Sequence, residues 1–164
     1  MTFRMYAMYI LSFAMGLVLN LMDLGWVSCD WVALILLYWA LHGVHYYLLP
    51  GAIVLGFMMD VLTNEYFGVH ASVYCFLLFF GQGAALRMRV TSLWEKAFFV
   101  TLLVFLSGLF QSLLAYGLYG VFQLHRILMP LMAGLVLWSV LHLLLHAVVG
   151  ADIEDQIQKD LARL

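Results

Sequence analysis

Asp60 stands in the stretch GFMMDVLTNEYFGVHAS, residues 56–72, at the end of the apolar run from Leu48 to Met59. A carboxylate in such surroundings has two chemical uses. It can accept hydrogen bonds from unsatisfied N–H groups at the start of the next helix, near Gly68 to His70, where the helix dipole also favours negative charge. Alternatively, an acid inside a membrane marks a proton or ligand site. No basic side chain is expected at the depth of Asp60, which favours the hydrogen-bonding role, and both uses stay open at this point.

The histidines are the second set able to do chemistry. His142 and His146 are spaced i, i+4, which lets one helix face hold a metal ion, and His42 and His45 are expected at the same end of the molecule. No acid or cysteine joins them, so interfacial histidines bonded to backbone or headgroups are the expectation, with no metal and no cofactor. Ser107 and Gln111, also i, i+4, are polar residues that join helices through hydrogen bonds. Cys29 and Cys75 form neither a C-x-x-C pair nor a disulfide framework. There is no Ser–His–Asp set, phosphate-cradling glycine loop or paired acid, so no enzyme is expected.

What must position these residues follows from composition. Of 164 residues, 66% are hydrophobic and 10% charged. A soluble domain carries roughly a quarter charged residues, so this supply cannot cover a water-facing surface. The solvent is lipid. An all-α integral membrane protein is expected, with a six-helix transmembrane domain over residues 1–150 and a cytoplasmic amphipathic helix over 151–164. Its net charge of −2 and scattered basic residues offer nothing to nucleic acid.

The apolar runs predict helices at Tyr6–Met22, Trp31–Leu41 (extending at most to Leu49), Pro50–Thr63, Gly68–Leu86, Ala97–Val121 and Ile127–Val149. The first lacks a small-x-small cleavage site before Asp23 and reads as a retained helix. Placing the N-terminus inside leaves Arg4, Arg87, Arg89, Lys96, Lys159 and Arg163 in the cytoplasm and only Arg126 outside, so both termini are expected there. Trp31 to Thr63 holds 33 residues, whereas two full spans and a turn need about 40. Helices two and three are therefore expected to be a short pair sheltered by their neighbours, with a broken or partly re-entrant hairpin as the alternative. Pro50 suits a first helical turn. Trp26, Trp31, Tyr46, Tyr47, Trp94, Tyr116 and Tyr119 read as boundary anchors.

Ala52, Gly56 and Asp60 recur at i, i+4, i+8 and share a helix face; Gly68, Ser72 and Cys75 make a matching small-residue stripe on the next helix. Small residues let helices approach closely in lipid, so this face is a candidate for helix packing or a partner interface. In the tail, Ile153, Ile157, Leu161 and Leu164 recur at helical spacing among charged residues. The tail carries four acids and two bases, which disfavours anionic lipid and leaves Ile153, Ile157 and Leu161 as candidate docking positions for a cytoplasmic partner.

Two segments, WVALILLYWAL at 31–41 and GFMMDVLTNEYFGVHA at 56–71, resemble those of the bacterial rod shape-determining protein MreD family. The matching positions are Trp31, Leu34, Leu37, Tyr38, Trp39, Gly56, Asp60, Gly68 and Val69. Asn64 stands where the family often has glycine, and Phe67 where it has leucine; Asn tolerates the left-handed turn nearly as well. The other helices match in hydrophobic character alone.

The resemblance implies a non-catalytic role in the cell-elongation machinery of the bacterial cytoplasmic membrane. It implies partnership with the single-pass protein MreC, a RodA-type glycosyltransferase, a class B penicillin-binding transpeptidase and MreB filaments, with self-association open. It also implies a fold like that of the substrate-binding subunits of energy-coupling vitamin transporters. That likeness motivates an alternative, a small-molecule-binding transporter subunit with Asp60, His70, Ser107 and Gln111 lining an outward-facing pocket.

Overall fold

The computed structural model describes residues 3–22, 30–42, 48–88, 91–120 and 136–148. Among the described residues every regular element is a helix: α1 Phe3–Leu21, α2 Trp31–His42, α3 Leu48–Leu62, α4 Val69–Met88, α5 Leu93–Tyr119 and α6 Val136–Val148. The calls on Cys29, Trp26, His45, Tyr46, Tyr47, Arg126 and the tail with Ile153, Ile157 and Leu161 lie outside the described residues.

The second helix is the centre of the bundle. Val32 through Leu41 are all buried, and WVALILLYWAL is apolar on nearly every face, so neighbouring helices can surround it. It packs against α1 and α4, and more lightly against α3. Trp39 donates its indole N–H to Ser12 Oγ at 3.0 Å, which ties α2 to α1. Ser12 in turn donates to Tyr9 O at 2.8 Å, so the one polar atom of Trp39 is satisfied inside an apolar layer. The tyrosine–tryptophan end of the motif is thus core, not boundary.

The third helix buries a single stripe, Leu48, Ala52, Gly56, Met59 and Asp60, and turns it to α4. At 12 and 15 described residues, α2 and α3 are each shorter than a full membrane span. Pro50 lies in the first turn of α3, where its missing N–H costs no bond. The fifth helix begins at Leu93 rather than Ala97. Its start is set by a capping box: Glu95 N–H donates to Ser92 Oγ and Ser92 N–H donates to the Glu95 carboxylate at 3.2 Å. Its other end is closed by Gly120 at φ 69°.

Of the described helices one, over Leu93–Leu118, is long and apolar enough to cross a membrane by itself. Five shorter apolar stretches accompany it. Polar contacts bring the ends of α1 and α3 together with the starts of α2 and α4, while the end of α2 meets α6. The described helices alternate in direction, and two of their polar clusters lie at opposite ends.

Candidate functional site: the Asp60 cluster

Between α3 and α4 the chain turns through Asn64 at φ 53° and Gly68 at φ 99°. Both are left-handed conformations, which glycine adopts freely and asparagine with little strain. The turn folds the first N–H groups of α4 back over the last turn of α3. Gly68 N–H donates to Asp60 Oδ2 at 2.6 Å, and His70 N–H donates to Oδ1 at 2.8 Å. Asp60 is 1% exposed, so these bonds form where no water competes. The carboxylate of one helix caps the next.

A third contact departs from expectation. His70 Nδ1 lies 2.9 Å from Asp60 Oδ1, so the acid does have a nitrogenous partner at its own depth. Histidine at the second position of α4 carries its ring back towards α3, a placement decided by the turn and invisible in spacing alone. Because a carboxylate only accepts, Nδ1 is the donor in this contact, and in the neutral ring Nε2 is an acceptor. Gln111 Nε2 on α5 sits 3.4 Å from that Nε2, at the long limit of a hydrogen bond. Asp60, His70 and Gln111 therefore form one polar chain across three helices. Ser107 does not join it, since its hydroxyl donates to Val104 O within α5.

Gly56 and Gly68 have different tasks. A Cβ on Gly56 would land on the backbone N and Cα of Ala71, so glycine is what permits α3 and α4 to touch. Around Gly68 there is open space, and its backbone angle alone requires glycine. The residue facing Gly56 is thus Ala71, not the Gly68, Ser72 and Cys75 stripe. Ser72 is half-buried and donates to Val69 O, and Cys75 is a free thiol. Ala52 is fully buried on the same face of α3 as Gly56.

A second carboxylate, absent from the sequence reading, lies beside the first. Asp30 caps α2: its Oδ1 accepts from Ala33 N–H at 3.1 Å and from Asn20 Nδ2 at 3.0 Å. Its Oδ2 accepts from Tyr74 Oη of α4 at 2.8 Å. Asn20 Oδ1 accepts from Trp31 N–H at 2.8 Å, and its amide also reaches Met59 Sδ at 3.7 Å. An aspartate directly before the first residue of an apolar helix was the available signal. Tyr74 packs edge-on to His70 at 6.1 Å, which makes the two carboxylate groups neighbours.

At the opposite end, His42 and His142 lie with ring centroids 5.1 Å apart, and His142 stacks on His146 at 5.6 Å and 12°. Near-parallel stacked rings do not converge their nitrogens on one point. Among the described residues no group of three His, Cys, Asp or Glu is placed to hold a metal ion.

The decisive comparison is with protein families. The model of the rod shape-determining protein MreD family matches residues 1–148. The chain belongs to the MreD family. That membership points to a role in determining rod shape at the membrane, in keeping with its apolar helices. No curated protein matches it, and neither does any solved structure. The family positions quoted from the sequence now have places: Leu34, Leu37, Tyr38 and Trp39 form the buried centre of α2, and Gly56, Asp60, Gly68 and Val69 build the α3–α4 joint.

Proposed function

We propose that this MreD-family protein is a non-catalytic scaffold of the cell-elongation machinery in the bacterial inner membrane, with both termini in the cytoplasm. It binds MreC and gathers a RodA-type glycosyltransferase, a class B penicillin-binding transpeptidase and, directly or indirectly, MreB filaments. The observation that carries this reading is the state of Asp60. Both oxygens of the buried acid are engaged by the start of α4 and by His70, as a structural brace requires and a reactive acid does not.

The small-residue face of α3 is closed against α4. Partner helices therefore meet the apolar faces left outside, among them Val54, Phe57, Met58 and Val61 of α3. The tail around Ile153, Ile157 and Leu161 serves cytoplasmic components. The residues of the alternative, a transporter subunit, are bonded to one another or to their own helix, which favours the scaffold.

The test is affinity purification of the tagged protein from its native membrane in mild detergent, with co-purifying proteins identified by mass spectrometry. Recovery of MreC and the wall-synthesis enzymes supports the scaffold. Recovery of a transporter ATPase pair with a tightly held small molecule overturns it.

A further inference from the structure

We propose that the cleft between the start of α5 and α6, at the His42 end of the bundle, binds the headgroup and adjoining acyl segment of an anionic phospholipid. The cleft has a volume of about 200 Å³ and is lined by Leu93, Trp94, Trp138, Ser139, His142 and Leu143. Most of that wall is apolar. Ser139 and His142 are its polar members, and His142, 5% exposed, has its Nδ1 buried without a hydrogen-bond partner. A buried polar atom left unpaired costs stability, and in native proteins such an atom calls for an explanation such as an absent ion or ligand group.

A positive charge, the Lys96 ammonium, lies close to the cleft. His42 and His146 flank His142, and Lys96, half-buried one turn into α5, lies within electrostatic range of both His42 and His142. The nearest acid in sequence, Glu95, is exposed and engaged by the backbone N–H of Ser92. Exposed Trp94, Leu93 and Leu143 continue the cleft wall onto the outer surface.

Those features select the occupant. A soluble anion would satisfy the donors and leave the apolar wall bare. A zwitterionic lipid would cover the wall and leave Lys96 without a net countercharge. A partner helix, about 10 Å across, is too wide for this volume. A phosphate monoanion on a lipid chain meets every requirement: oxygens that accept from Lys96 and the histidine cluster, and methylenes for Trp138 and Leu143. Basic residues near a membrane surface attract such lipids.

Native mass spectrometry of the purified full-length chain tests this, titrating dioleoyl phosphatidylglycerol against dioleoyl phosphatidylcholine. The expected result is about fivefold tighter retention of phosphatidylglycerol, the factor that one basic group supplies. Lys96→Gln brings that preference below about twofold, whereas His142→Phe weakens retention of both lipids. Lys96 is only half-buried, so its variant keeps the fold and remains decisive even where His142→Phe fails to accumulate. Equal retention of the two lipids overturns the proposal, as does an unchanged preference in Lys96→Gln. Displacement of phosphatidylglycerol by an equal concentration of inorganic phosphate also overturns it, in favour of a soluble-anion site.

Discussion

At the end of the bundle where α1 and α3 finish, Asp30 and Asp60 are surrounded by donors: three backbone N–H groups, an amide, a phenol and an imidazole. At the other end, where α2 finishes against α6, Tyr38 Oη and His142 Nδ1 are buried with no partner at all. Nearby, Tyr9 Oη on α1 is equally unpaired. Both ends contain aromatic and titratable side chains at comparable depth, so composition does not separate them. The difference is in what each polar atom touches. A satisfied network fixes one arrangement of its helices, whereas unpaired buried atoms cost stability and are kept where something else completes them.

The comparison can be broken most easily at Gly56. Gly56→Leu drives a side chain into the Ala71 backbone, which cannot swing aside as a side-chain tip can. Overpacking usually costs about 1–3 kcal/mol, and a backbone collision lies at the high end or beyond. The expected outcome is loss of folded protein from the membrane fraction, read by fluorescence-detected size exclusion. Normal accumulation and normal rod shape in cells carrying the variant would remove the α3–α4 joint from the account.

Comparable in size is Asp60→Ala, which strands Gly68 N–H, His70 N–H and His70 Nδ1–H together. Each stranded buried donor costs about 1–3 kcal/mol, so thermal unfolding in detergent should fall by well over ten degrees. Asp60→Asn keeps one acceptor oxygen and should fall roughly half as far. Wild-type folding of Asp60→Asn with loss of rod-shape complementation would instead assign the charge a direct functional task. Asp30→Ala ranks below it, at about 1–2 kcal/mol for the lost cap plus the freed Tyr74 hydroxyl.

Much of this was legible in the residues, and what was not has identifiable causes. Six apolar segments and two unusually short helices follow from hydropathy and residue counting alone. The bonding of Asp60 to the start of α4 follows from its place one turn before a glycine-bounded turn. Two capping signals were also present, Asp30 before Trp31 and Ser92-x-x-Glu95 before an apolar run. They went unread because charged residues beside long apolar runs look like connectors, and this moved the expected start of α5 by four residues, from Leu93 to Ala97. The choice of Ala71 as the neighbour of Gly56 was beyond reach. It depends on how far two left-handed residues rotate α4 over α3, and a single residue of register changes the answer. The same rotation delivers His70 to Asp60. Nothing in local spacing encodes it.

The smallest expected effect is the sharpest contrast with Asp60. Tyr38→Phe removes a buried hydroxyl that makes no hydrogen bond, from a ring that stacks on His42 at 4.7 Å and contacts Trp138 at 6.4 Å. The ring, its volume and its stacking survive the substitution, and an unsatisfied polar atom is gone. Replacing such a group by an apolar one of the same shape is neutral or stabilising, by up to about 1 kcal/mol. Lipid-free protein in detergent should therefore melt at the wild-type temperature or a few degrees above it. Unfolding well below the wild-type temperature would mean that the hydroxyl has a partner, and the two ends of the bundle would then treat buried polarity alike. A neutral result leaves Tyr38 Oη to be explained by what binds at that end, and the adjoining stack of His42 and His142 connects that question to the cleft beside α6.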